Sequence, residues 1–185
     1  MRTLIRIVTI LFLLSLAMSV SAGNKTSVRD KTKDLRKSGE AVVGKPAPWF
    51  SGWTGENKVV NLNKLLADPD AKCVALAFFA THCKPCRKGL EMLRDSESRL
   101  RKAGIKVVLV DFAEKEDKAS AYVKELRLPF MLVLDTYGKM KGTYLNGNKP
   151  ELPRTVLIGK DGSVRAIFGE EGEDYINRIV MACDE

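Results

Sequence analysis

Seven consecutive apolar residues, Cys73-Val74-Ala75-Leu76-Ala77-Phe78-Phe79, constrain this chain more than any other feature. A strand with one wet face alternates apolar and polar side chains, so an unbroken run of this length belongs to a central strand covered on both faces. Such a strand needs packing layers above and below its sheet. Ile105 to Val110 and Phe130 to Leu134 supply two further strands, and Val59 with Val60 a short one before a small helix around Leu62, Leu65 and Leu66. Between the longer strands, Leu90, Leu93 and Leu100 recur at helical spacing up to Ala103-Gly104. Asp117 to Leu126 then places Ala119, Tyr122, Val123 and Leu126 on one side of a second helix. Thr155 to Ile158, the turn Gly159-Lys160-Asp161-Gly162, and Val164 to Phe168 read as a hairpin. A last helix carries Tyr175, Ile176, Ile179, Val180 and Cys183 on one stripe. This order predicts an α/β domain, a mixed sheet with helices on both faces.

The first 22 residues have a different character. Arg2 and Arg6 precede a mostly apolar run, Ile7 to Val20, and Val20-Ser21-Ala22 supplies small residues before Gly23. This is the three-part pattern of a secretory signal, and the run is short for the roughly 20 apolar residues of a spanning helix. An uncleaved N-terminal anchor is the alternative. Residues 23–42 contain few large apolar side chains and read as a basic flexible linker, leaving 43–185 as the folded domain. The formal charge of +8 is concentrated at the start: residues 23–45 carry seven Lys/Arg against three acids, while the body holds 22 basic and 20 acidic residues. A basic tail on a balanced domain does not describe a nucleic-acid binder, which gathers its cations on a folded face.

Cys83-Lys84-Pro85-Cys86 falls between the buried strand and the start of a helix. A structural zinc site needs a second close pair, whereas Cys73 and Cys183 stand alone. Haem attachment needs a histidine after the second cysteine, and Arg87 is there instead. Redox chemistry fits better. Free N–H groups and the dipole at a helix N-terminus stabilise an anion. Together with cations such as Lys84, Arg87 and Lys88, they can lower a thiol from about 8.5 to between roughly 3.5 and 7.5. Cys83 is the expected attacking thiolate and Cys86, one turn on, the resolving thiol. Pro85 suits the first helical turn, where its missing N–H costs nothing.

Three separated motifs resemble those of the TlpA/ResA-like thioredoxins of bacterial envelopes: Val43-Gly44-Lys45-Pro46-Ala47-Pro48, Phe78 through Lys88, and Leu152-Pro153-Arg154-Thr155-Val156-Leu157-Ile158. The resemblance covers about residues 42–182. It implies a thioredoxin-like three-layer sandwich with an N-terminal extension, working without a cofactor or metal. It also implies a periplasmic thiol-disulfide oxidoreductase, usually a disulfide reductase on envelope proteins and often serving cytochrome c maturation. Protein thiols and disulfides would be its substrates and a membrane thiol transporter its electron donor, with the chain a monomer or weak dimer. Pro153 matches the family's cis-proline, and Leu152 would offer backbone hydrogen bonds to an extended substrate.

The chain departs from the family in three places. Gly89 stands where relatives carry a glutamate, Ala77 where ordinary thioredoxins bury an aspartate, and His82 where a tryptophan is usual. Proton handling on the buried thiol is thus left without a carboxylate. His82 either supports the Cys83 thiolate or is a rim side chain of no essential role. Positive charge beside Cys83 favours the reduced thiolate and so an oxidant, against the family's reductase habit; reductase is the expectation. A copper-handling module is a second reading, since thiolates suit Cu(I). A peroxidase of the peroxiredoxin type is a poor third, because its P-x-x-x-T-x-x-C pattern would need threonine at Ala80. Cys73 and Cys183 are expected as two buried, unbridged thiols, although the topology allows them to meet.

Overall fold

The computed structural model of the chain describes residues 41–145, 151–169 and 172–185. The expected signal, the linker as far as residue 40, and residues 146–150 of the loop before Pro153 lie outside them.

The apolar run forms β3 (Cys73–Phe79), every residue of which is buried. Its alternate side chains point to opposite faces, as the pleat of a strand requires. Cys73, Ala75, Ala77 and Phe79 enter one core; Val74, Leu76 and Phe78 enter another. Around it a seven-stranded sheet runs in the order β2-β1-β5-β4-β3-β6-β7. The other strands are β1 (Ser51–Thr54), β2 (Val59–Asn61), β4 (Ile105–Asp111), β5 (Met131–Leu134), β6 (Arg154–Gly159) and β7 (Val164–Phe168). β4 pairs in parallel with β3 and with β5, whereas β6 runs antiparallel to β3. The sheet is therefore mixed, as the element order predicts.

Six helices flank it among the described residues: α1 (Leu62–Leu66), α2 (Lys84–Asp95), α3 (Glu97–Lys102), α4 (Glu116–Glu125), α5 (Lys139–Tyr144) and α6 (Tyr175–Asp184). Buried residues of α2, α3, α4 and α6 fill the first core, and those of α1 and α5 fill the second. The result is a thioredoxin-like three-layer arrangement. Ala41 is buried in the second core and its amide donates to the Thr143 carbonyl, so packed chain begins inside the stretch read as linker. No helix among the described residues is long and apolar enough to cross a membrane.

Three local features differ from the sequence reading. The helix expected from Leu90 to Leu100 is two, broken at Ser96, which joins α2 to α3 with φ −106° and ψ 11°. β1 escapes a pattern search because Ser-Gly-Trp-Thr has no apolar alternation; pairing with β2 and β5 defines it instead. Gly52 is required there, since a Cβ at that position would meet Val133 Cγ1 at 2.7 Å. The third difference corrects an expectation: Cys73 and Cys183 form a disulfide, their Cα atoms 6.0 Å apart. The apolar stripe of α6 that suggested a buried thiol is what lays Cys183 against the start of β3.

Candidate active site

The parallel strands β3, β4 and β5 all end at one edge of the sheet, and the turns leaving them meet there. The turn after β3 carries Thr81, His82 and Cys83. Cys83 is the N-cap of α2: its amide donates to Ala80 O at 3.0 Å, and its Sγ accepts from the Cys86 amide at 3.2 Å. A side-chain acceptor at this position satisfies one of the orphan N–H groups of the first turn. The first turn contains Pro85 and no acidic residue.

Cys83 and Cys86 are joined, with S–S 2.00 Å and Cα–Cα 5.3 Å. Cys86 is only 2% exposed and packs into the first core, whereas Cys83 is partly open to solvent. One sulfur can be approached from outside and the other cannot. Lys84 and Pro85 are exposed beside them. Arg87 is drawn away, bonding Glu91 at 3.1 Å and Glu125 at 3.2 Å, so less of its charge reaches Cys83 than its sequence position suggests.

Antiparallel pairing of Phe78 with Arg154 carries the chain before β6 back past the end of β3. This places Pro153 and Leu152 alongside the turn that leads to Cys83. The Leu152–Pro153 peptide bond is cis, Pro153 is buried, and Leu152 packs against both cores. His82 extends outward with 75% of its side chain exposed, its Nδ1 3.8 Å from Glu114 Oε1.

Glu114 is the residue that sequence reasoning missed. It follows β4, and its side chain is only 10% exposed. Oε2 accepts from the Thr81 amide at 2.7 Å, and Oε1 accepts from the Thr81 hydroxyl at 2.8 Å and from Lys118 Nζ at 2.5 Å. The Glu114 amide donates to Asp111 Oδ2 at 2.8 Å, and Asp111 Oδ1 accepts from the Asp135 amide at 2.5 Å. Asp135 in turn accepts from the Met140 and Lys141 amides at 3.0 and 2.6 Å, starting α5. Three carboxylates thereby tie together the ends of β5, β4 and β3. Burial alone would raise the Glu114 carboxyl, but the Lys118 and Thr81 bonds outweigh it and hold it below its ordinary value. Burial wins at Asp111 and Asp135, whose carboxyls are raised despite the amides they accept from. The available signal was position: a carboxylate just past the carboxyl end of a parallel strand lies where open α/β sheets gather their sites.

Among the described residues no three His, Cys, Asp or Glu side chains gather to hold a metal ion. A buried thiol bonded to an accessible one at a helix N-terminus can exchange disulfides.

Comparison with known proteins agrees with this geometry. The AhpC/TSA family pattern matches residues 43–167. Thiol-disulfide oxidoreductase ResA of Bacillus cereus is 33% identical over 142 residues, covering 74% of this chain and 78% of that protein. A thioredoxin-family thiol:disulfide interchange protein of Chlorobium tepidum superposes with TM-score 0.62 at 25% identity, covering 75% of this chain and 95% of the other. Peroxidoxin BcpB of Mycobacterium tuberculosis shares the fold at TM-score 0.66 and 17% identity, covering 78% of this chain and 97% of its own.

Proposed function

From the premise that this chain belongs to the AhpC/TSA family and is a ResA-like thiol-disulfide oxidoreductase, we propose that it is an exported reductase of protein disulfides. Cys83 is the nucleophile. Its thiolate attacks one sulfur of a substrate disulfide, forming a mixed disulfide and releasing the first substrate thiolate. Cys86 then loses its proton and attacks Cys83 Sγ. The second substrate thiolate leaves, and two electrons have passed from the dithiol to the substrate as the Cys83–Cys86 bond closes. The observation that carries this reading is the pair itself: an accessible sulfur capping α2, bonded to a sulfur 2% exposed.

Leu152, beside the turn to Cys83, is the proposed docking point for an extended substrate segment through its backbone groups. The peroxidase branch of the family is disfavoured by Ala80, three residues before Cys83. Direction follows from charge. Cations that stabilise a thiolate make its disulfide more oxidising. Here Arg87 is engaged by Glu91 and Glu125, which takes cationic charge away from Cys83 and supports reduction. With residues 1–22 read as an export signal and 23–42 as a linker, the domain works in the periplasm, with a membrane thiol transporter as electron donor and cytochrome c maturation as the setting.

Insulin reduction by the purified protein with dithiothreitol tests the assignment. Cys83→Ser is expected to abolish turnover, and Cys86→Ser to accumulate mixed disulfides visible on non-reducing gels. Undiminished turnover by the Cys83 variant refutes it. A potential for the couple near about −270 mV fits a reductase, and one near about −120 mV reverses the direction.

A further inference from the structure

The redox turn is gripped from outside the motif. After β3 the chain leaves the sheet, and Thr81, two residues before Cys83, presents a backbone N–H and a hydroxyl at the edge of the site. Both bond one carboxylate, that of Glu114, at 2.7 and 2.8 Å. A two-point attachment fixes orientation as well as distance, as a bidentate pair does.

The grip is itself anchored. Lys118, in the first turn of α4, holds Oε1 at 2.5 Å, and the Glu114 amide is bound by Asp111, which is 0% exposed. Asp111 also takes the Asp135 amide, so the carboxylate rests on the ends of two strands. The groups facing Glu114 are Lys118 and Tyr122 from α4, His82 from the redox turn and Asp111 from β4. The anion is balanced by one close cation and stays ionised at neutral pH, where two hydrogen bonds from Thr81 need it to be an acceptor. Within α2 no side chain holds the turn in this way, since Gly89 has none to offer and Glu91 is turned to Arg87.

We propose that Glu114 is the positioning residue of the redox motif: by holding Thr81 at two points it fixes the turn from which Cys83 reaches the N-terminus of α2. The cysteine thiolate is stabilised there by N–H groups whose effect falls off within one turn. A turn free to swing would carry Cys83 out of that position part of the time, raising the thiol's ionisation midpoint and misaligning the nucleophile. This rests on Cys83 being the attacking sulfur, as proposed above.

Three variants test it, Glu114→Ala, Glu114→Gln and Thr81→Val. The readouts are Cys83 thiolate absorbance against pH in the reduced protein, kcat/KM for insulin reduction, and the thermal midpoint. Glu114→Ala is expected to raise the ionisation midpoint and lower kcat/KM by about tenfold. Glutamine can still accept the Thr81 amide and donate to its hydroxyl, so Glu114→Gln should stay within about threefold of the parent, because the grip survives. Thr81→Val removes one of the two bonds and should shift the midpoint in the same direction by less. It carries the test alone if Glu114→Ala does not fold. An unchanged midpoint in the alanine and valine variants overturns the proposal. So does a glutamine variant as impaired as alanine, which would make charge rather than grip the operative property. If the parent itself reduces no insulin, the substrate assignment has failed, while the thiolate midpoints still decide the role of Glu114.

Discussion

At the scale of single residues, the site is a contest between burial and hydrogen bonding, and its three carboxylates come out differently. Glu114 titrates below the ordinary 4.5 when folded, because Lys118 and Thr81 overcome its desolvation. A group whose folded value is depressed contributes stability that is present above its unfolded value and is lost as pH falls through the folded one. Asp111 and Asp135, raised by burial, run the other way: their linked contribution is present in acid and fades as pH rises through their folded values. Acid titration of the oxidised protein should therefore show Thr81 released below pH 4.5 by amide chemical shift. Glu114→Gln should flatten that step, because glutamine has no proton to gain. A step of unchanged size in the variant would assign it to another carboxylate. His82, with three-quarters of its side chain in solvent, is the contrasting case. Its neighbour in sequence is clamped, yet among the described residues its own ring meets just the carboxylate of Glu114, at 3.8 Å.

At the scale of elements, what was legible and what was not separate by range. β3, β4, the β6–β7 hairpin and α6 could be read from apolar pattern alone, since each buries a stripe or a whole run. So could the placement of Cys83-Lys84-Pro85-Cys86 at a strand-to-helix turn. The break at Ser96 could not, because Leu90, Leu93 and Leu100 keep helical spacing across it. β1 depends on its partners, β2 just after it and β5 far along the chain. α5 does carry a local signal, Asp135 three residues before Gly138, which adopts φ 63° and lets the carboxylate reach the Met140 and Lys141 amides. Glu114 is harder to read, being meaningful only once β4 lies beside β3. The bracing of strand ends can be tested directly. Asp111→Ala strands the amides of Glu114 and Asp135, and should cost roughly 1–3 kcal/mol for each that finds no new partner. Asp111→Asn, which keeps one acceptor, should cost less. Urea unfolding measures both, and equal stability of the parent and the alanine variant would show the brace to be idle.

At the scale of the molecule, the two disulfides sit at opposite ends of one strand. Cys73 opens β3 and is tied to Cys183 of α6, while the strand runs out toward Cys83 at the far edge. Replacing both Cys73 and Cys183 by alanine should lower stability by about 2–5 kcal/mol, the usual effect of losing a native bridge across a long loop. The Cys83–Cys86 potential should stay within experimental error of the parent. Calorimetry and thiol-buffer titration check the two halves separately, and a shifted potential would mean that the bridges communicate. An enzyme that opens its only crosslink on every turnover alternates between a stapled and an unstapled chain, and is easiest to unravel when charged with electrons. Here the bond spanning 110 positions is not the one consumed, so the charged and spent forms enclose the same long loop and should resist heat and proteases almost equally.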